Sequence, residues 1–226
     1  MCSRFSLTSP PEAVRAYFKH VEAEPFPPRY NIAPTEPVHI VRTSVKGERE
    51  LRLVRWGLIP GWVKDPAVFT TLINARSETV LQKPSFRGAI RHKRCLFPVD
   101  GFYEWVGPKG QKRPQLFRRR DKALFAFAGL YEDWLGADGS EMETAAILTT
   151  EANATVAPIH DRMPVILPPE QFDAWLDCNS GEAAEAVSLL APAPDDLLEV
   201  FEVDRRVNNP RSDGPDLHEP VRTTLF

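Results

Sequence analysis

Short apolar runs broken by polar and turn residues dominate the middle of the chain. Val38–Val41, Leu51–Trp56, Cys95–Val99, Phe102–Val106, Gln115–Arg118, Leu124–Tyr131 and Thr144–Thr149 read as strands. Several are separated by turn chemistry such as Gly107-Pro108-Lys109-Gly110 and Ala137-Asp138-Gly139. A helical period follows Ser9-Pro10-Pro11-Glu12, where Ser9 is placed to cap and Glu12 to close a capping box. Val14, Tyr17, Phe18 and Val21 then share a face until Pro25, Pro27 and Pro28 end it. Pro168-Pro169-Glu170 opens a second helix with Phe172, Trp175 and Leu176 on one side. A third helix is expected over Glu182–Leu190 and a late strand over Leu197–Val203. Strands that follow one another without helices pair antiparallel. The pattern therefore predicts an α+β fold, with mainly antiparallel strands in a curled, barrel-like sheet flanked by a few helices. No repeat, charge block or long linker divides the chain, so one domain spanning residues 1–226 is expected.

Composition narrows the class. With 42% hydrophobic residues in 226, the chain is apolar enough to fold and is no disordered segment. No window approaches the roughly 18 apolar residues of a membrane span. The opening Met1-Cys2-Ser3-Arg4-Phe5 lacks the apolar core of a signal peptide, so a cytoplasmic or nucleoid-associated protein is expected, with no membrane partner. A net charge of −3 announces no global field for nucleic acid but allows a local basic groove. Cys2, Cys95 and Cys178 are odd in number with no close pair, and the five histidines are scattered. Neither a disulfide framework nor a metal site is expected, and no cofactor. Cys95 and Cys178 are expected to be inert. No coiled-coil seam suggests assembly, so a monomer is expected.

Four clusters could carry chemistry. If Met1 is removed, Cys2 puts an α-amine (about 7.7–8.0) and a thiol (about 8.5) on adjacent carbons. The amine can condense with an aldehyde to a Schiff base, and the thiolate can close a five-membered thiazolidine on it; alternatively Cys2 is only a residue after a start codon. Asn74-Ala75-Arg76-Ser77-Glu78 gathers an amide, a guanidinium, a hydroxyl and a carboxylate, or simply ends a strand with a salt bridge. In Asp100-Gly101-Phe102-Tyr103-Glu104-Trp105, Glu104 shares a face with Phe102. It either points inward, with its proton affinity raised by desolvation, or outward from an edge strand. His160, in Ile159-His160-Asp161-Arg162-Met163-Pro164, is the best acid–base histidine, unless it only makes a structural bond to Asp161. Arg29–Pro34 and Trp56–Trp62 could supply phosphate clamps and stacking faces for single-stranded nucleic acid, or Trp56 could be core. Arg118–Arg120 and Lys109–Arg113 read as solvated faces and a hairpin tip, outside the site.

In order and combination these segments, together with Val207-Asn208-Asn209-Pro210-Arg211, resemble the SRAP (SOS response-associated peptidase) family over nearly the whole chain. The resemblance implies a sensor of abasic sites in single-stranded DNA that cross-links itself to the lesion through Cys2. It implies Glu104 as proton carrier for the Schiff base, His160 at the sugar oxygen, and Asn74 holding Cys2 and the opened sugar in register. Arg4 and Arg76 would grip phosphates beside Ser77, and Pro34, Trp56 and Trp62 would shape the DNA channel. A Schiff base at an abasic site invites β-elimination; closing the ring removes the iminium and shields the strand. Two positions depart from the family pattern. Ser3 stands where glycine is common, and Val63 where some members carry a second tryptophan, which implies weaker noncovalent DNA binding. Two other readings stay open: a cysteine-dependent peptidase with Cys2 as nucleophile and His160 as base, and a noncovalent single-strand reader.

Overall fold

The computed structural model describes residues 2–21, 24–108, 110–179 and 183–221. In chain order these form β1 (Phe5–Leu7), α1 (Pro11–Phe18), β2 (Arg29–Ile32), β3 (Pro37–Thr43), β4 (Arg49–Trp56), β5 (Asn74–Arg76) and α2 (Ala89–His92). There follow β6 (Arg94–Val99), β7 (Gly101–Val106), β8 (Arg113–Arg119), β9 (Phe125–Leu135), β10 (Glu141–Glu151), β11 (Arg162–Pro164) and β12 (Ile166–Leu167). The described chain closes with α3 (Phe172–Leu176), α4 (Ala183–Ser188) and β13 (Leu198–Glu202). All seven central strands expected from the pattern are present, and the α+β class with a mostly antiparallel barrel is borne out. Among the described residues no helix is long and apolar enough to cross a membrane.

The barrel is a ring of five strands. β4, β3, β6, β9 and β10 pair antiparallel in that order, and β10 returns to β4 in parallel, with Thr144 opposite Arg55. β9 and β10 are 11 residues each, long enough to serve further neighbours. β12 pairs with β9, β11 with β10, and β5 runs parallel to β10 with Asn74 opposite Ile147. These parallel pairings depart from the antiparallel expectation. A parallel neighbour needs a long crossover, and local alternation carries no trace of a partner some 70 residues away. Gly129 of β9 is a steric necessity: a Cβ there would lie 2.3 Å from Cε2 of Phe97.

A second sheet, in the order β13-β8-β7-β1-β2, is wholly antiparallel. Asp100 alone separates β6 in the barrel from β7 in this sheet, so the two layers meet closely. Between them Phe5 packs edge-on against Trp56, Phe97 and Phe127 at 5.1, 6.3 and 6.4 Å. Phe102 stacks on Phe117 at 4.9 Å and meets Phe127 edge-on. Each fully buried ring contributes about 1.5–3 kcal/mol of transfer free energy, which fixes β1 and β7 against the barrel.

The capping box expected at Ser9 does not form. The Asp100 carboxylate accepts from the amides of Thr8 (2.6 Å) and Ser9 (2.7 Å) and from the Ser9 hydroxyl (2.5 Å), so Ser9 donates across the fold. Pro10 stands in the cap position without a side-chain cap. Lys19, at φ 54°, ends α1, leaving Val21 outside the helix and exposed. Phe172, Trp175 and Leu176 are buried along α3 as expected, while Glu182 of the third expected helix lies outside the described residues.

Two half-buried histidines set an acid limit. His39 lies 4.2 Å from the ring of Phe26, and His218 lies 5.0 Å from Tyr30; burial lowers both from 6.5 to about 4. Between those values the unfolded chain binds protons that the folded one refuses. The stability these rings contribute is therefore present above pH 6.5 and is lost as pH falls toward 4. Melting temperature should drop between pH 7 and pH 4.5, and the double variant His39→Phe/His218→Phe should show a shallower drop. Equal slopes would refute this origin.

Candidate active site

The site grows from β1. Strand pairing to β2 and β7 fixes Phe5, and just before it the carbonyl of Arg4 accepts the amide of Tyr103 at 3.0 Å. The Cys2 thiol donates to that same carbonyl at 3.7 Å, and Cys2 is 1% exposed. The Cys2 carbonyl accepts from Nδ2 of Asn74 at 2.8 Å. Asn74 reaches it because the indole N–H of Trp56 donates to the Ile73 carbonyl at 3.0 Å and β5 pairs with β10. Three segments distant in the chain thus converge on Cys2.

Arg4 is held rigidly. Its Nη1 donates to Oδ1 of Asn31 at 2.7 Å and to the Val207 carbonyl at 2.8 Å, and its guanidinium lies 5.8 Å from the Trp105 ring. Asn31, buried, donates in turn to the carbonyls of Val207, Asn209 and Ser212. The C-terminal segment is thereby strapped beside the N-terminal strand. Burial lowers the proton affinity of Arg4.

Glu104 resolves inward: it is 5% exposed, because Phe102 on its own face and Tyr103 on the other are both covered. Burial raises its proton affinity, and the charges of His160 and Lys112 partly offset that. Burial, then the charge of Glu104, pushes the Cys2 thiol well above its usual range. In this arrangement the thiol lacks even the small thiolate fraction that a free cysteine carries near pH 7, and a base must take its proton.

His160 belongs to the loop between β10 and β11. Its Nδ1 accepts the Arg162 amide at 2.9 Å and lies 3.0 Å from Oδ1 of Asp161. Arg162 grips both oxygens of Glu78 (2.5 and 2.9 Å) and the Thr149 carbonyl (2.7 Å), tying this loop to β10 and to the turn after β5. That bond holds the Glu78 carboxyl below the usual carboxylate range. Arg4, Glu104, Trp105, Lys112, His160 and Asn208, with Ser3 beside them, line one cavity of about 460 Å³. Lys112, Trp105 and Asn208 are additions to the expected set. Lys112 reads as a hairpin tip from sequence, and only the fold carries that tip over the cavity.

The remaining expected residues are distributed around this centre. Arg76 is exposed at the end of β5, Ser77 is buried and Pro34 is half-buried. Trp56 is fully buried, so it offers no face to a base and can shape a channel only from beneath. Trp62 is 60% exposed and meets Phe69 edge-on at 5.8 Å. Val63 is turned into a small cluster with Ile59 and Trp134, and its carbonyl accepts the Trp134 indole N–H. That position presents no stacking face.

A buried carboxyl, Glu104, and a histidine, His160, thus line one cavity with Ser3, and next to Ser3 the Cys2 carbonyl is held by the Asn74 amide. The family model described as SOS response associated peptidase (SRAP) matches residues 1–210, and the chain belongs to that family. It is similar to the abasic site processing protein YoqW of Bacillus subtilis, with 40% identity covering 97% of this chain and 99% of that one. It is also similar to the abasic site processing protein HMCES of Gallus gallus, with 34% identity covering 86% of this chain and 66% of that one. A crystal structure of a Bacteroides thetaiotaomicron protein superposes with a TM-score of 0.87 at 28% identity, covering 98% of this chain and 100% of that one.

Glu104 gives this site a thermodynamic signature. A carboxyl whose proton affinity is raised on folding makes folding less favourable as pH rises above the ordinary carboxylate range. Glu104→Gln should therefore melt higher than the wild type at pH 8, with the difference vanishing near pH 4. A variant that melts lower at pH 8 would contradict a desolvated carboxylate.

Proposed function

We propose that this protein processes abasic sites in single-stranded DNA by cross-linking itself to them through Cys2. The observation that supports the reading is the hydrogen bond from Asn74 to the Cys2 carbonyl, with Cys2 close enough to Glu104 to feel its charge. Hydrolysis of the Met1–Cys2 bond must come first, to free that amine; Met1 itself lies outside the described residues.

The amine then adds to the aldehyde carbon of the ring-opened sugar. The carbinolamine loses water to give a Schiff base, and the thiol sulfur adds to the same carbon while its proton passes to nitrogen. Aminothiol and aldehyde become thiazolidine and water. Glu104, with its raised proton affinity, suits both the delivery of a proton to the departing hydroxyl and the removal of one from the thiol. His160, on the cavity wall, serves the sugar oxygen during ring opening. Arg4, Arg76 and Ser77 are assigned to the DNA backbone, and Pro34 and Trp62 to the channel, with Trp56 supporting it from below. A role in DNA damage repair follows, since the closed ring removes the iminium that drives strand cleavage.

The peptidase reading is weakened by the same electrostatics. A thiol nucleophile needs its proton affinity lowered, and burial beside Glu104 raises it.

A denaturing gel of protein with single-stranded DNA carrying one abasic site tests the proposal. The wild type should give a band that survives boiling, and Cys2→Ala none. Cys2→Ser keeps the amine and should give an adduct only when trapped with borohydride, with more strand cleavage. Protein with a blocked α-amine and free thiol should give no adduct; an undiminished adduct would refute the amine-first route. Asn74→Ala, Glu104→Gln and His160→Ala should slow cross-linking, by roughly 10²–10⁴-fold for the two proton carriers.

A further inference from the structure

The strap that closes the cavity contributes a side chain with no part in the chemistry above. Asn208 ends the 3-10 turn Arg205–Asn208, is exposed, and lines the cavity. Its amide lies 2.6 Å from the indole nitrogen of Trp105. An indole N–H can only donate, so the Asn208 atom facing it must be the carbonyl oxygen. The NH2 group is therefore turned away from Trp105, and among the described residues it has no hydrogen-bond partner.

The backbone beneath is fixed as firmly as the amide. The Val207 carbonyl accepts from Arg4 and Asn31, the Asn209 carbonyl accepts from Asn31, and the Asp204 carboxylate caps the turn by accepting the Arg206 amide. Arg4 and Lys112, both cationic, line the same cavity. A pre-oriented pair of amide N–H donors beside two cations matches the non-bridging oxygens of a phosphodiester.

We infer that Asn208 is a substrate-contacting residue, donating from Nδ2 to a phosphate oxygen of the strand bound in this cavity, with Trp105 as the positioning residue that holds the amide in its donating orientation. The inference rests on the reading of the cavity as a DNA site. The C-terminal strap is then part of the binding site as well as a fastening for β1.

The test measures noncovalent affinity by fluorescence anisotropy, using single-stranded DNA with a tetrahydrofuran abasic analogue that offers no aldehyde. Asn208→Asp keeps an oxygen for Trp105 and loses the donors; Asn208→Leu is uncharged and similar in size. Both should weaken binding about tenfold, the equivalent of 1.4 kcal/mol. Asn208→Asp should keep the wild-type melting temperature, since Asn208 is exposed. Trp105→Phe frees the amide without removing it and should weaken binding less than either. On reactive abasic DNA, both Asn208 variants should cross-link slowly at low DNA and recover the wild-type rate at saturation. Wild-type binding by Asn208→Leu would overturn the donor role, even if Asn208→Asp binds weakly through charge repulsion. Wild-type protein that binds neither oligonucleotide would overturn the DNA reading and this inference together. Wild-type protein that binds and cross-links while all Asn208 variants match it would overturn this inference alone.

Discussion

The site depends on a chain end being held in the middle of a sheet. Terminal residues ordinarily fray, because few contacts offset the entropy of ordering them. Here β1 lies between β2 and β7, Phe5 is wedged against Trp56 and the rings of the barrel, and Asn74 holds the Cys2 carbonyl. Arg4 adds the polar half of the anchor, reaching Asn31 and the Val207 carbonyl at once. A guanidinium taken partly out of water must find such acceptors. Its burial is therefore also a constraint on where residues 207–212 can run.

The same burial tunes the chemistry. Desolvation opposes charge on Cys2, Glu104 and Arg4 alike, while His160 and Lys112 restore some favour to the Glu104 carboxylate. Burial beside Glu104 thus disfavours a ready-made thiolate at Cys2. The rigid shell around it is built from unlike parts. The Trp56 indole sets the edge of β5, the Arg162–Glu78 pair holds the His160 loop, and Asp100 fastens the chain after β1.

Much of this was legible in one dimension. The strand runs from Val38 to Thr149, and the α3 residues Phe172, Trp175 and Leu176, follow from local periodicity, because burial on one face writes itself into the spacing of apolar residues. The short strands β1, β2 and β5 escaped, since three or four residues carry too little alternation to be read. Ser9 was misjudged because the acceptor that claims its hydroxyl, Asp100, is 91 residues away. Glu104 could point either way until the coverage of both faces of β7 was known.

The sequence by itself determined the class of fold, the strand pattern, and the inventory of reactive groups: a thiol at Cys2, an amide at Asn74, a carboxyl at Glu104 and an imidazole at His160. These are properties of residue type and local spacing. Tertiary structure alone decided that Glu104 and His160 line one cavity while Asn74 reaches the Cys2 carbonyl, that Trp56 lies in the core while Trp62 faces solvent, and that Lys112 and Asn208 join the rim. It also decided the parallel return of β10 to β4 and β5, which carries Asn74 to the chain end. The physical reason is that desolvation, proton affinity and hydrogen-bond partnership depend on neighbours in space, and no local pattern records a neighbour 70 or 200 residues away.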